Sequence, residues 1–249
     1  MKPAVFVTGG AKRIGAAVCQ AFGHSGWHVL VHYGSSAGEA EALASSLPSA
    51  EAVQCDLGDS SAAAAMVDGL AGRLGDWRVL VNCAGVFRED SAAALDPQVF
   101  GEAMRVNAAT PARMAQAFLA SARAEGGRRV IQVTDQKLRN PNPDFFSYTM
   151  SKHALDATVP MLAMAQADPR DRVYGLAPGA ILASHDQTEG EADISHRLNL
   201  LGRRTHAEEI AQAALFLTEG WLASGETLFI DSGQHLVPQR RDVLYLVRE

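Results

Sequence analysis

Apolar residues in this chain come in short runs, at 3–8, 27–33, 51–55, 78–82, 128–134, 171–176 and 226–231. Between them lie longer stretches in which apolar positions recur every three or four residues, at 14–25, 37–47, 60–74, 97–106, 110–124, 147–166 and 206–219. Short runs bounded by turn residues read as strands, and the 3.6-residue period reads as helix. The strands are nearly all apolar, as strands covered on both faces are. Strict alternation of strand and helix, with right-handed crossovers, predicts an α/β fold built on a doubly wound parallel sheet. No linker rich in Pro, Gly or Ser divides the chain and no repeat is present, so residues 1–249 read as one domain.

Three segments depart from the pattern. Residues 180–200 are polar and acidic and follow the Pro178-Gly179 pair, which predicts a mobile flap. Pro160 falls inside the helical stretch 147–166 and is expected to kink that helix or end it near Val159. The tail after Gly233, ending PQRRDVLYLVRE, reads as a local strand in preference to a cover for a neighbouring subunit's cleft.

Composition narrows the class. An apolar content of 47% over 249 residues is enough for a full core. The net charge of −6 disfavours nonspecific nucleic-acid binding. Cys19, Cys55 and Cys83 are scattered singly, which predicts buried thiols in a reducing cytoplasm and no metal site. MKPAVFV runs straight into strand pattern without a leader's apolar stretch, and no apolar run nears the ~20 residues of a membrane span. The expectation is a cytoplasmic protein without membrane or nucleic-acid partners.

In doubly wound folds ligands sit beyond the carboxyl ends of the strands. After the first strand, VTGGAKRIG places Gly9, Gly10 and Gly15 where backbone N–H groups and a helix N-terminus can meet a pyrophosphate. The second strand ends HVLVHYGSS, with no acid before Glu39. A carboxylate there would accept from a ribose 2′-OH; His32, Tyr33, Ser35 and Ser36 offer donors instead, and Lys12 and Arg13 add positive charge. That set favours a 2′-phosphate, hence NADP(H) over NAD(H). Asp56 has two compatible readings, acceptor for an adenine amino group and helix N-cap. Asn82 to Phe87, NCAGVF, forms a small-residue turn beside which a ribose can lie. Asp135 ends the fifth strand, and Tyr148 and Lys152 share one helix face. An ammonium one turn from a phenol, whose usual pKa is about 10, is expected to lower that pKa and make a proton shuttle.

TGGAKRIG, Asp56, NCAG, Asn107 in RVNAAT, Tyr148 with Lys152, Pro178-Gly179 and GETLFIDSG together resemble the short-chain dehydrogenase/reductase family over essentially the whole chain. The resemblance implies a seven-stranded Rossmann-like sheet, Tyr148 as proton donor, Lys152 holding the nicotinamide ribose, and Asn107 supporting a water-linked relay. It implies cofactor contacts at Gly9, Lys12, Arg13, Ile14, Tyr33, Ser35, Ser36, Asp56, Leu57, Asn82, Ala84, Gly85, Thr134, Tyr148, Lys152, Pro178, Gly179 and Ile181. Two positions depart from the general family: Arg13 stands where it has glycine and Asp135 where it has serine. At both, and at Phe87, the chain is similar to pteridine reductases of the dihydromonapterin or dihydrofolate type. That resemblance implies a flat ring held between Phe87 and the nicotinamide, with Arg13, Asp135 and Tyr148 as substrate contacts. Asp135 is expected to be at least partly protonated, because its charge opposes a Tyr148 phenolate.

The function expected is NADPH-dependent reduction of a pterin or dihydropterin C=N by a homodimer or homotetramer. Asp135, Tyr148, Lys152 and Asn107 are the catalytic set. Two alternatives stand beside it: an ordinary carbonyl or 3-oxoacyl reductase, and a non-catalytic NADP(H)-sensing protein.

Overall fold

The computed structural model describes residues 2–184 and 187–248. Seven parallel strands form one sheet in the order β3-β2-β1-β4-β5-β6-β7. They are β1 (Ala4–Val7), β2 (His28–Tyr33), β3 (Ala50–Gln54), β4 (Trp77–Asn82), β5 (Arg129–Val133), β6 (Arg172–Pro178) and β7 (Thr227–Ile230). Each lies within about two residues of its expected run. The order reverses between β1 and β4, so the carboxyl ends of these two strands open a crevice.

The helices are α1 (Arg13–His24), α2 (Ala37–Ser46), α3 (Ser60–Arg73), α4 (Pro97–Ala103), α5 (Thr110–Ser121), α6 (Phe146–Met164), α7 (Glu189–Ser195), α8 (Ala207–Thr218) and α9 (Val243–Leu246). Two apolar layers cover the sheet. Along β1, Val5 and Val7 face one layer with Val18 and Phe22 of α1 and Ile210 and Leu217 of α8. Ala4 and Phe6 face the other, with Val67 of α3 and Met114 and Phe118 of α5. Alternate residues of a strand point to opposite faces, so one four-residue strand serves both cores.

The sequence pattern is corrected at several points. The expected break between 97–106 and 110–124 is absent; a π-helical turn, Met104–Ala109, joins α4 to α5 and carries Asn107 inward. Pro160 does not end α6, which runs on to Met164. A proline costs a helix interior about 3 kcal/mol, but Leu155 and Val159 are fully packed and hold the helix to the core. The expected flap contains α7, whose start is fixed by a Thr188/Glu191 capping box; residues 185 and 186 of that flap lie outside the described residues. Asp59, not Asp56, caps α3, accepting from Ser61 N at 2.9 Å and Ala62 N at 3.0 Å. Among the described residues, the tail makes no strand with the sheet and instead forms the short helix α9. Among the described residues, no helix is long and apolar enough to cross a membrane.

Candidate active site

The carboxyl ends of β1, β4, β5 and β6 open into a cleft of about 540 Å³, a size that suits small organic ligands. One end is the β1–α1 turn. Gly9 has φ +64° and lies against Ala84; a Cβ on Gly15 would sit 2.2 Å from Gly9 O. The backbone is thus bare where α1 begins, and the first turn of α1 holds no acid. Arg13, its first residue, takes φ +55°, a left-handed conformation that favours glycine and costs other residues about 1–2 kcal/mol. The side chains of Lys12 and Arg13 are exposed on the cleft rim. Lys12 pairs with Glu39 at 2.7 Å, which offsets the acid nearest to the nucleotide end.

His32 is not a phosphate donor. It is buried, accepts from Gly9 N through Nδ1 at 3.1 Å, and reaches Cys55 O through Nε2 at 3.1 Å. Burial drives its pKa down to about 4, so at neutral pH it is an uncharged strut for the glycine turn. Tyr33, Ser35, Ser36, Asp56 and Leu57 cluster at the ends of β2 and β3, outside the cleft walls. Asn82 also lies outside them; its amide donates inside the core to Pro111 O at 3.2 Å and Gln132 Oε1 at 2.9 Å. Gly9, Lys12, Arg13, Ile14, Ala84, Gly85, Thr134, Pro178, Gly179 and Ile181 do line the cleft.

At its middle the Tyr148 hydroxyl donates to Asp135 Oδ2 at 2.7 Å, and the other carboxyl oxygen accepts from Lys137 N at 2.9 Å. Burial raises the Asp135 pKa above its ordinary 3.8, outweighing these bonds and the nearby ammonium groups. The expected acidic tyrosine is corrected. Burial, then the Asp135 charge and hydrogen bond, push Tyr148 well above 10. Lys152 Nζ stands 5.7 Å from the Tyr148 ring centroid and donates to Val133 O at 2.7 Å. Its own pKa is lowered, because burial disfavours the ammonium.

Asn107 is fully buried and does not line the cleft. It brackets Val86, accepting from its N at 2.7 Å and donating to its O at 2.9 Å, and donates to Ser151 Oγ at 3.0 Å. It therefore fixes the loop that presents Phe87. The Phe87 ring meets Tyr148 edge-on, centroids 4.7 Å apart, and stacks on Phe145 at 4.1 Å. Phe145 is buried with φ +51°, strained for an aromatic residue, and backs a ring that forms part of the cleft wall. The N-terminus of α6 is capped from another loop: Ser147 N and Oγ both donate to the Asp90 carboxylate.

Part of the cleft wall was not legible in the sequence. Lys137, His196, Gln234, Asp242, Val243 and Leu244 line it. His196 is buried with no hydrogen-bond partner for Nδ1. Their residue types carried no motif, and four lie in the tail.

The donor set fits a dinucleotide phosphate: a bare glycine turn, a helix N-terminus with two cations, and a buried Thr134 Oγ1 without a partner on the cleft wall. Residues 9–235 match a family model described as enoyl-(acyl carrier protein) reductase. The crystal structure of FolM alternative dihydrofolate reductase 1 from Brucella canis, complexed with NADP, is 33% identical and superposes with a TM-score of 0.88 over 96% of each chain. Pteridine reductase 1 of Leishmania tarentolae is 28% identical over 94% of this chain and 96% of its own. The angucycline C-6 ketoreductase LanV, solved with bound NADP, is 28% identical with a TM-score of 0.85 over 94% of this chain and 96% of its own.

Proposed function

Because the chain belongs to the short-chain dehydrogenase/reductase family and is an NADP-dependent oxidoreductase, we propose that its substrate is a pterin or dihydropterin, reduced at a ring C=N. The observation that carries this reading is the Tyr148–Asp135 hydrogen bond, on a tyrosine whose ring stands at right angles to a Phe87 ring that stacks on Phe145. A ketone needs one donor to its oxygen. A pterin offers a flat face, ring nitrogens and an amino group, and this wall offers a flat ring, a carboxyl group and a phenol.

The glycine turn, Lys12 and Arg13 would hold the phosphates, Lys152 and Thr134 would hold the nicotinamide ribose region, and Arg13 would serve both cofactor and ring. When bound, the reduced nicotinamide supplies a hydride. The residues of the chain supply the proton. Burial moves the Asp135 pKa toward neutrality and the Tyr148 pKa away from it. The carboxyl group is therefore the better-matched acid, and Tyr148 is the donor that orients it. One proton goes to the ring nitrogen as the carbon takes the hydride, and the pair regains its proton from solvent.

The reading includes a cytoplasmic homo-oligomer. The assembly, though not the location, is supported by apolar side chains left exposed on α6 and around α8, among them Met161, Met164, Phe216 and Trp221.

The test is a comparison of kcat/KM under NADPH for 7,8-dihydrobiopterin and for a small β-keto ester. A higher value on the pterin supports the reading. A higher value on the keto ester assigns the cleft to carbonyl reduction, and tight NADPH binding without turnover of either leaves a sensor.

A further inference from the structure

The tail is tied to three different parts of its own chain. On the loop after β5, the Lys137 ammonium meets Asp242 Oδ2 at 2.7 Å in a buried pair. Next to it, Asp144 Oδ2 accepts from Arg241 Nε at 2.9 Å and Asp242 N at 2.8 Å. Asn140 donates to Val237 O at 2.8 Å. On the flap, Leu198 O accepts from Gln239 Nε2 at 2.8 Å and Glu191 from Arg248 Nε at 2.9 Å. On the loop after β4, Glu89 accepts from the Tyr245 hydroxyl at 2.5 Å.

These ties bring Val243 and Leu244, both buried, into the cleft wall. The buried Lys137–Asp242 pair is poor evidence for stability, since an apolar pair of similar volume would serve as well, but breaking one partner leaves a buried charge alone. It fixes a position. Lys137 also gives its backbone N–H to Asp135, so the residue that anchors the tail belongs to the same turn as the proposed acid.

We infer that the segment Asp242–Leu246 is the end wall of its own chain's substrate cleft, docked by Lys137, and that it limits the substituent the bound ring can carry. The inference rests on the pterin reading above. The substrates it favours are bicyclic rings with a short substituent; those it resists carry a long arylamide chain. Lys137 and Asp242 are positioning residues.

The experiment measures kcat and KM under NADPH for 7,8-dihydrobiopterin and 7,8-dihydrofolate. It compares the full chain, a chain ending at Gln239, and Leu244→Ala. Opening the wall is expected to raise the dihydrofolate-to-dihydrobiopterin ratio of kcat/KM about tenfold in the shortened chain, through KM, and less in Leu244→Ala. An unchanged ratio in a folded Leu244→Ala and in the shortened chain overturns the inference. If the full chain reduces neither pterin, the pterin reading itself fails, which is a different result. Hydrogen exchange without ligand supplies a second readout: Asp242→Asn should speed exchange of amides in 241–248 while leaving those of β5 unchanged. Equal exchange in the two proteins overturns the docking role of Lys137.

Discussion

The Tyr148 hydroxyl gives its hydrogen to Asp135 Oδ2 across 2.7 Å, joining α6 to the carboxyl end of β5. Neither group has its solution acidity there. Burial raises both, so the pair enters the neutral range fully protonated on the phenol and more protonated on the carboxyl than a free aspartate.

Removing that hydroxyl should cost turnover more than binding. Tyr148→Phe keeps the ring against Phe87 but leaves Asp135 without its oriented donor. kcat for pterin reduction is expected to fall roughly 10²- to 10⁴-fold, with KM for NADPH within about threefold of wild type. Steady-state kinetics at fixed pH checks both numbers.

Asp135 also predicts a pH dependence of stability with a definite sign. Its pKa in the folded chain is raised above 3.8, so the folded state tolerates it best when protonated. Its contribution is present at low pH and is lost as the pH rises through the folded value. Asp135→Asn, which cannot ionise, should match wild type near pH 3.8 and become progressively more stable than it as the pH rises. Urea unfolding at a series of pH values reads the difference.

His32 gives the opposite limb. Its pKa is lowered from 6.5 to about 4, so stability is present above 6.5 and is lost as the pH falls toward 4. The full loss corresponds to about 3 kcal/mol. His32→Asn should be less stable at pH 7, because the bond to Cys55 O is gone, yet should lack this acid limb. Thermal melts between pH 7 and 4 separate the two effects.

Arg13 occupies a glycine conformation, φ +55°. Arg13→Gly should relieve backbone strain and alter stability by no more than about 1 kcal/mol, because glycine also gains freedom in the unfolded chain. Loss of a charged donor should weaken NADPH and pterin binding by roughly 10- to 100-fold. Denaturant unfolding together with NADPH titration checks that function falls while stability holds.

Phe87→Ala should remove the flat wall without emptying the core, since the ring is only half buried. KM for the pterin, and the inhibition constant of methotrexate, which carries the same ring system, are expected to rise at least about tenfold. Competitive inhibition assays against NADPH-dependent turnover measure it.

The chain's own pattern determined the architecture. Short apolar runs alternating with amphipathic stretches gave seven parallel strands within about two residues of their places, because local period and turn chemistry fix strand and helix before any packing is known. It also placed Gly9, Arg13 and Asp135 in the turns after strand ends, and Tyr148 and Lys152 on the helix after β5, all facing one crevice, because topology carries such positions to the same side of the sheet. Acidities and partners were decided by tertiary structure. Tyr148 and Lys152 lie one turn apart in sequence, but their ionisation depends on how deeply α6 is buried and on a carboxyl group thirteen residues away. His32 looked like a phosphate donor until β1 and β3 closed on it. The tail carried no motif, and its Asp242 became part of the cleft only when Lys137, 105 positions earlier, came within 2.7 Å. Burial and long-range contact set the free energy of a charge, and neither is encoded in the spacing of neighbours along the chain.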